Sequence, residues 1–207
     1  QGPLVVFYVC SNLSIANQNR NKLLEILETE DEKISAHCNV DRLTLLPSGV
    51  KPTHPRLHLY TLTPDTSLPL RAGMRRDGKA EERALLHNLV MDLYPQFLSK
   101  RGDNFFQRGA TKNWNWYKNW QSDKAKNSEL KELFDQSVRK EFGINTRSRV
   151  HTKLIQIKDG LTIIAHLRNA LAAIAVEETK PDLVIFDEFQ RFRDVITAKI
   201  EETSATA

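Results

Sequence analysis

Cysteine is scarce in this chain, and its histidines do not cluster. Cys10 and Cys38 are the only cysteines among 207 residues, and they have neither the C-x-x-C spacing nor the paired histidines that hold zinc. Two cysteines are also too few for a disulfide framework. The six histidines match no metal spacing, and His166, among apolar neighbours, is predicted to be a packed helical residue. The composition favours a reducing compartment, and we expect a cytoplasmic protein.

Long apolar runs are missing too. Leu4–Cys10 is shorter than the apolar core of a signal peptide and has no basic residue before it, and no run approaches the length that spans a bilayer. We therefore expect no membrane contact. Hydrophobic residues at 40% and charged residues at 27% are ordinary for a globular protein. The excess of 30 basic over 26 acidic residues favours an anionic partner only mildly.

The feature that most constrains the function is an apolar run, Leu183–Phe186, that ends in Asp187 and Glu188. Such a run predicts a buried parallel strand, and ligands bind at the carboxyl ends of these strands in open α/β sheets. An aspartate there can hold hydrated magnesium, and a glutamate beside it can orient or deprotonate an attacking water. The alternative is a strand that ends in a solvated acidic turn.

Further segments predict the rest of an α/β layer. Strands are predicted at Leu4–Cys10, Asp41–Leu46 and Leu57–Leu62. Helices are predicted over residues 14–28, 79–100, 128–142, 160–178 and 192–202. Strands at both ends of the chain with helices between them predict an incomplete α/β domain that carries a mostly helical insertion.

Two other segments suit phosphate groups. The strand ending at Cys10 delivers hydroxyl, amide and backbone N–H groups to the start of a helix, although simple helix capping explains the same residues. Gly73–Ala80 keeps the spacing G-x-x-x-x-G-K but ends in Ala80, where a phosphate-binding loop has a hydroxyl that ligates magnesium. We interpret Gly73–Ala80 as a basic turn before a helix.

All three tryptophans lie in one basic segment, Lys100–Lys126. Aromatic rings stack on bases and neighbouring cations meet phosphates, which is the pattern of single-strand binding. The alternative is that the tryptophans attach a small helical insertion to the rest of the protein. The predicted nucleic-acid contacts in this segment are Trp114, Trp116, Trp120, Lys112 and Lys118.

Two blocks of the chain together resemble motifs Ia and II of a large bacterial family of superfamily-two, DEAD/DEAH-like helicases related to Swi/Snf-type translocases. The blocks are V-V-F-Y-V-C-S-N-L-S-I-A-N-Q-N-R at residues 5–20 and L-V-I-F-D-E-F-Q-R-F at residues 183–192. Residues 62–67, 81–86 and 106–109 are similar to intervening blocks. The resemblance implies a partial RecA-like P-loop NTPase sheet from residues 1–67 and 151–207, with 68–150 as the helical basic and aromatic insertion.

The resemblance also implies a cofactor pair, ATP and magnesium, and the residues that would serve it. Asp187 would hold magnesium through water, and Glu188 would polarise the hydrolytic water. Gln190 would couple the nucleotide site to the nucleic-acid site.

For the nucleic-acid strand itself, the resemblance implies contacts at two strand ends. Ser11 and Asn12 would lie against its phosphate backbone, and the segment from Thr63 to Thr66 would lie beside them.

The chain also departs from the family pattern. The glycine-rich loop of motif I would lie before Gln1, and a start at Gln rather than Met predicts a piece of a longer protein. Thr203–Thr206 resembles the S-A-T core of motif III, but the charged Lys199–Glu202 stands where its strand belongs, so we interpret this match as a coincidence.

We therefore expect part of the first motor domain of an ATP-dependent helicase or translocase, inactive alone because it lacks the phosphate-binding loop. Its expected partners are nucleic acid, DNA more than RNA, and the remainder of the helicase in cis. The alternative is a nucleic-acid or protein binding module without catalysis.

Overall fold

A computed structural model of the chain describes residues 4–10, 13–30, 43–45, 57–63 and 77–187. The chain divides into two compact units. The first, which we call the sheet unit, consists of Gln1–Arg42, Lys51–Ala72 and Thr179–Ala207. The second, the helical unit, consists of Leu43–Val50 and Gly73–Glu178. The class is mixed α/β, mostly helical, with a small parallel sheet.

The described residues of the sheet unit contain three parallel strands in the order β2-β1-β3. Strand β1 is Leu4–Val9, β2 is Leu57–Leu62 and β3 is Leu183–Phe186. Helix α1, Leu13–Glu30, follows β1. These three strands confirm the predictions from β-branched and aromatic runs. Their core contains Val6, Tyr8, Cys10 and Leu59, with Ile15, Leu23 and Leu57 packed against it.

Strand β3 is more exposed to solvent than its apolar sequence predicts. Its four apolar residues are between 38% and 47% exposed, so the expectation of a buried strand is wrong. The reason is its place in the sheet: among the described strands β3 pairs with β1 alone, so it lies at the end of the sheet order. An apolar run predicts a strand but does not show that both of its faces are covered.

Within the described residues of the helical unit, ten segments are helical. Leu43–Leu45 and Thr111–Asn113 are short 3-10 turns. The α-helices are α2, Ala80–Leu93; α3, Pro95–Arg101; α4, Asn104–Gln107; α5, Trp114–Trp120; α6, Ser122–Lys126; α7, Ser128–Glu141; α8, Arg147–Gln156; and α9, Gly160–Thr179. Helix α2 packs against α3, α4, α5, α6 and α7 and is therefore the centre of this unit.

Two predicted elements differ from the structure in the helical unit. The helix predicted over residues 79–100 is divided at Tyr94, because a residue before proline disfavours the helical conformation and Pro95 starts α3. The strand predicted at Asp41–Leu46 is wrong for Leu43–Leu45, which form a 3-10 turn. There the hydroxyl of Thr44 donates to the buried carboxylate of Glu82, a contact that a local pattern does not reveal.

The unit boundary also differs from the predicted one. Residues 151–178 lie in the helical unit, so the predicted boundary at residue 150 falls inside it. Leu154 of α8 and Leu167 and Leu171 of α9 belong to the same core as Leu85 and Leu89 of α2. The helix predicted over residues 192–202, the tail at Thr203–Thr206 and the start of the Gly73–Ala80 loop lie outside the described residues.

Helix α9 is long and apolar enough to cross a membrane by length and composition alone. In that respect the expectation that no segment approaches this length is wrong. Half of its apolar window is buried inside the protein, and Arg168 near its centre is paired with Glu82. An arginine at the centre of a membrane helix costs roughly 2.5–3.5 kcal/mol or more, whereas a core helix accommodates it through such a pair.

Candidate nucleotide site and nucleic-acid interface

Asp187 lies at the carboxyl edge of the sheet, directly after β3. Its backbone N–H donates to the carbonyl oxygen of Val9 at 2.8 Å, so β1 and β3 end side by side. The hydroxyl of Tyr8 and the side-chain N–H of Asn19, at 2.9 Å, both donate to Asp187 Oδ2. Asn19 also donates to the Tyr8 hydroxyl oxygen at 2.8 Å. We call Tyr8, Asn19 and Asp187 the Asp187 cluster. The two donors hold the Asp187 carboxylate in one orientation.

Sequence reasoning missed Tyr8 and Asn19, although both lie in the block that resembles motif Ia. Burial and then the hydrogen bond to Asp187 raise the pKa of Tyr8 to about 12. Tyr8 therefore stays protonated and remains a hydrogen-bond donor throughout the neutral range. A hydroxyl on a buried, otherwise apolar strand was the available signal, because such a group needs a polar partner.

A hydrated magnesium ion suits this edge better than a dehydrated one. Magnesium keeps several waters and takes one or two carboxylates together with substrate phosphates, and Asp187 supplies one oriented carboxylate at a strand end. Within residues 4–10, 13–30, 43–45, 57–63 and 77–187, no three His, Cys, Asp or Glu side chains are grouped to hold a metal. As a single carboxylate among the described residues, Asp187 fits contact with the ion through its waters.

The other residues predicted at this edge are less informative. Thr63 is only 1% exposed, so its side chain is not accessible to a nucleic-acid strand. Five predicted site residues lie outside the described part of the chain: Ser11, Asn12, Thr66, Glu188 and Gln190.

The described end of the Gly73–Ala80 loop is already occupied by a carboxylate. The backbone N–H of Lys79 donates to Glu82 Oε2 at 2.6 Å, and α2 begins at the next residue. Gly78 has a φ of +65°, and a Cβ placed there would lie 2.5 Å from the same oxygen. Because Glu82 carries a negative charge where a phosphate would bind, these residues act as a turn that caps a helix.

Trp114 belongs to the core of the helical unit and not to a binding surface. It is 3% exposed, and its ring lies edge-on to that of His87, with centroids 5.7 Å apart. The prediction that Trp114 stacks on a base is therefore wrong. The physical reason is that α5 packs against α2, so the first residue of α5 is turned inward.

Trp116 and Trp120 form an exposed aromatic surface, the tryptophan face. They are 59% and 58% exposed, one turn apart on α5, with ring centroids 5.3 Å apart and ring planes inclined by 31°. Tyr117 lies edge-on to Trp116 at 5.0 Å. Two adjacent exposed indoles offer flat apolar surfaces of the kind on which unpaired bases stack.

The predicted cations are not equally placed around the tryptophan face. Lys112 is exposed and lies in the 3-10 turn that precedes α5. Lys118 is half-buried and lies two residues from each exposed tryptophan, nearly opposite them around α5. Lys118, a predicted nucleic-acid contact, therefore does not border the tryptophan face.

Lys124 also belongs to the predicted basic segment, but it is directed inward. Its ammonium group donates to the carbonyl oxygen of Leu45. Burial lowers the pKa of Lys124 to about 8, so its charge is partly lost under mildly basic conditions. Lys124 therefore contributes little to a phosphate-binding surface.

The depressed pKa of Lys124 predicts that the helical unit becomes more stable between about pH 8 and pH 10. In this window the unfolded chain retains a proton that the folded chain has released, so the free energy of unfolding rises with pH, by at most about 3 kcal/mol. Lys124→Met should remove this rise. Urea unfolding followed by tryptophan fluorescence measures it, with the exposed Lys126→Met as the control. An unchanged pH dependence in Lys124→Met would contradict the prediction.

No family model, curated protein or solved structure matches this chain. The assignment of a function therefore depends on the residues and contacts of the chain itself.

Proposed function

We propose that this chain is part of the ATPase motor of an ATP-dependent nucleic-acid helicase or translocase. The observation that carries the proposal is the Asp187 cluster. Its members come from opposite ends of the chain, Tyr8 and Asn19 from the block that resembles motif Ia and Asp187 from the block that resembles motif II. The cluster lies at the carboxyl edge of a parallel sheet, where ligands of open α/β folds bind.

Each residue of the proposed site has a specific task. Asp187 would hold the waters of a magnesium ion, which when bound supplies positive charge to the phosphate oxygens of ATP. Tyr8 and Asn19 hold the Asp187 carboxylate in a fixed orientation through their hydrogen bonds. Glu188 would orient the attacking water, and Gln190 would couple the site to the nucleic acid. We propose DNA more than RNA as the partner, and the cytoplasm as the location.

The proposed motor requires a phosphate-binding loop from elsewhere. Residues 1–207 contain no G-x-x-x-x-G-K sequence followed by Ser or Thr, and that loop binds the β- and γ-phosphates in P-loop NTPases. We therefore expect these 207 residues alone to hydrolyse no ATP above background.

Asp187→Asn tests the proposal in a longer natural polypeptide that contains these residues and such a loop. We expect nucleic-acid-stimulated ATP turnover to fall about 10- to 100-fold, because the amide has no charge to hold the hydrated metal. The Asn side-chain oxygen can still accept from Tyr8, so the sheet should remain folded. Steady-state phosphate release, with and without single-stranded DNA, measures the effect.

Asp182→Asn is the matched control for Asp187→Asn. Asp182 lies at the opposite end of β3, where its Oδ2 accepts from the backbone N–H of Val5 at 2.8 Å, a bond that asparagine can keep. Its turnover should equal that of the wild type. If Asp187→Asn is equally active, Asp187 has no role in ATP hydrolysis. If residues 1–207 alone hydrolyse ATP and Asp187→Asn stops them, the need for an external loop is contradicted.

A second candidate function is a nucleic-acid binding module without catalysis. The tryptophan face favours it, because stacking of unpaired bases on Trp116 and Trp120 requires neither ATP nor the sheet. Single-strand binding that survives Asp187→Asn in a protein without ATP turnover would select this candidate.

A further inference from the structure

Helix α8 and the two residues after it carry only cations among their charged residues. From Arg147 to Lys158 the chain has two arginines, two lysines and one histidine, and no aspartate or glutamate. The exposed side chains of α8 are all able to donate hydrogen bonds: Arg147, Ser148, Arg149, Thr152, Lys153 and Gln156. Arginine, lysine, serine, threonine and glutamine are side chains that contact nucleic-acid phosphates.

Most of these cations have no carboxylate partner in the described part of the chain. Within the described ranges, no ion pair involves Arg149, Lys153 or Lys158, and Arg147 alone is paired, with Asp135 at 2.9 Å. Other lysines of the helical unit do have carboxylate partners: Lys126 pairs with Asp123, Lys131 with Asp92 and Lys140 with Glu177. Among the residues that the structure describes, the positive charge of α8 is therefore largely uncompensated.

Helix α3 extends this charged region. It packs against α8 and ends in Lys100 and Arg101, both exposed, and it contains no acidic residue. The guanidinium group of Arg101 donates to the backbone carbonyl of Lys158, which joins the end of α3 to the end of the α8 segment. We call the exposed side chains of α8, with Lys100, Arg101 and Lys158, the α3–α8 basic surface.

A cleft of about 250 Å³ opens where α3 and α8 begin, lined in part by Tyr94, Gln96, Arg147, Ser148 and His151. The Nδ1 atom of His151 is buried and has no hydrogen-bond partner. A buried nitrogen without a partner costs free energy unless a ligand or water meets it. The cleft thus combines an exposed guanidinium, a hydroxyl and an imidazole ring.

We propose that the α3–α8 basic surface binds the phosphate backbone of a nucleic-acid strand and that the adjoining cleft receives one nucleotide of that strand. The inference rests on the proposed nucleic-acid role of the chain, and it names a contact that is independent of both the Asp187 cluster and the tryptophan face. Helix α8 exposes no large apolar side chain, so it lacks the apolar face that inserts into membranes. Cations with hydroxyl and amide donors match phosphate oxygens instead.

The double substitution Arg149→Gln with Lys153→Gln tests this surface in the full chain. These exposed residues are one turn apart, so the change should leave the fold intact. For a labelled thymidine 20-mer, we expect affinity near 0.1 M salt to fall about tenfold. The slope of log affinity against log salt should decrease by about 1.4, since each phosphate contact on a single strand contributes roughly 0.7. Fluorescence anisotropy over a salt series measures both, with a 20-mer duplex in parallel.

The matched control is Lys131→Gln with Lys140→Gln, which removes two charges from lysines of α7 that have carboxylate partners. This control should keep the wild-type slope. In NMR spectra of the wild-type protein, addition of the thymidine 20-mer should shift the imidazole proton resonances of His151.

Each failure has a separate meaning. If the variant with Arg149→Gln and Lys153→Gln keeps the wild-type affinity and salt slope, this inference is wrong and the proposed function is unaffected. Absence of wild-type binding at low salt overturns the inference together with the nucleic-acid role. Equal competition by polyglutamate of matched charge, or tighter binding to anionic vesicles, also overturns it, because a general anion surface would then explain the result.

Discussion

Replacement of both Trp116 and Trp120 by alanine is expected to weaken binding of single-stranded DNA at least about thirtyfold. A base stacked on an aromatic side chain contributes roughly 1–3 kcal/mol by alanine substitution, so two such contacts contribute at least about 2 kcal/mol. Both indoles are more than half exposed in the unbound protein. Their loss should therefore change binding much more than folding, because substitutions at exposed positions usually alter stability by no more than about 0.5 kcal/mol.

Two further variants make the tryptophan result specific. Trp116→Phe with Trp120→Phe keeps flat aromatic rings, so this pair should retain most of the affinity. Met91→Ala removes another large apolar side chain, 49% exposed on α2, and should bind as the wild type does. Fluorescence anisotropy with a labelled thymidine oligonucleotide measures the affinity of the alanine pair, the phenylalanine pair and Met91→Ala. Equal affinity of the alanine pair and the wild type would show that the tryptophan face does not contact the strand.

Arg168→Leu is expected to destabilise the helical unit by about 3–5 kcal/mol. Arg168 and Glu82 are 1% and 0% exposed, and Arg168 Nε lies 3.3 Å from Glu82 Oε1. Arg168→Leu removes one member of a buried ion pair, and such a change costs much more than the pair itself contributes. Thr44 and the backbone N–H of Lys79 still donate to Glu82, but neither carries a compensating charge.

Urea unfolding followed by tryptophan fluorescence measures this loss selectively, because all three tryptophans lie in the helical unit. Glu82→Leu combined with Arg168→Leu should recover much of the lost stability, since the double variant removes both charges of the pair. Arg149→Leu, an exposed arginine on α8, is the control and should unfold close to the wild type. A double variant no more stable than Arg168→Leu would show that packing, and not the unpaired charge, causes the loss.

Local patterns in the sequence were sufficient for most secondary structure. The strands at Leu4–Val9, Leu57–Leu62 and Leu183–Phe186 and the helices at Ser128–Glu141 and Gly160–Thr179 form where the apolar periodicity predicts them. Such elements depend on residues that are neighbours along the chain. The short run Leu43–Leu45 did not follow its pattern, because a polar contact from Thr44 to Glu82 belongs to the tertiary structure.

The identity of the solvent-facing residues was harder to predict. Trp114, Trp116 and Trp120 lie on one short helix, yet the first is core and the other two are exposed. Lys118 and Lys124 have the same chemistry as Lys112, but they face away from the tryptophan face or into the protein. These differences arise from the packing of α5 and α6 on α2, which composition does not contain.

The sequence by itself determined the α/β class, the parallel strands and the basic, aromatic character of residues 100–126, because these follow from residue type and short-range spacing. Only the tertiary structure decided that Asp187 accepts hydrogen bonds from Tyr8 and Asn19. It also decided that β3 is exposed at the end of the sheet. The tertiary structure likewise decided which hydrogen-bond donors of α8 are exposed to solvent. Burial and hydrogen bonding depend on which distant segments pack together, and local periodicity does not specify that choice.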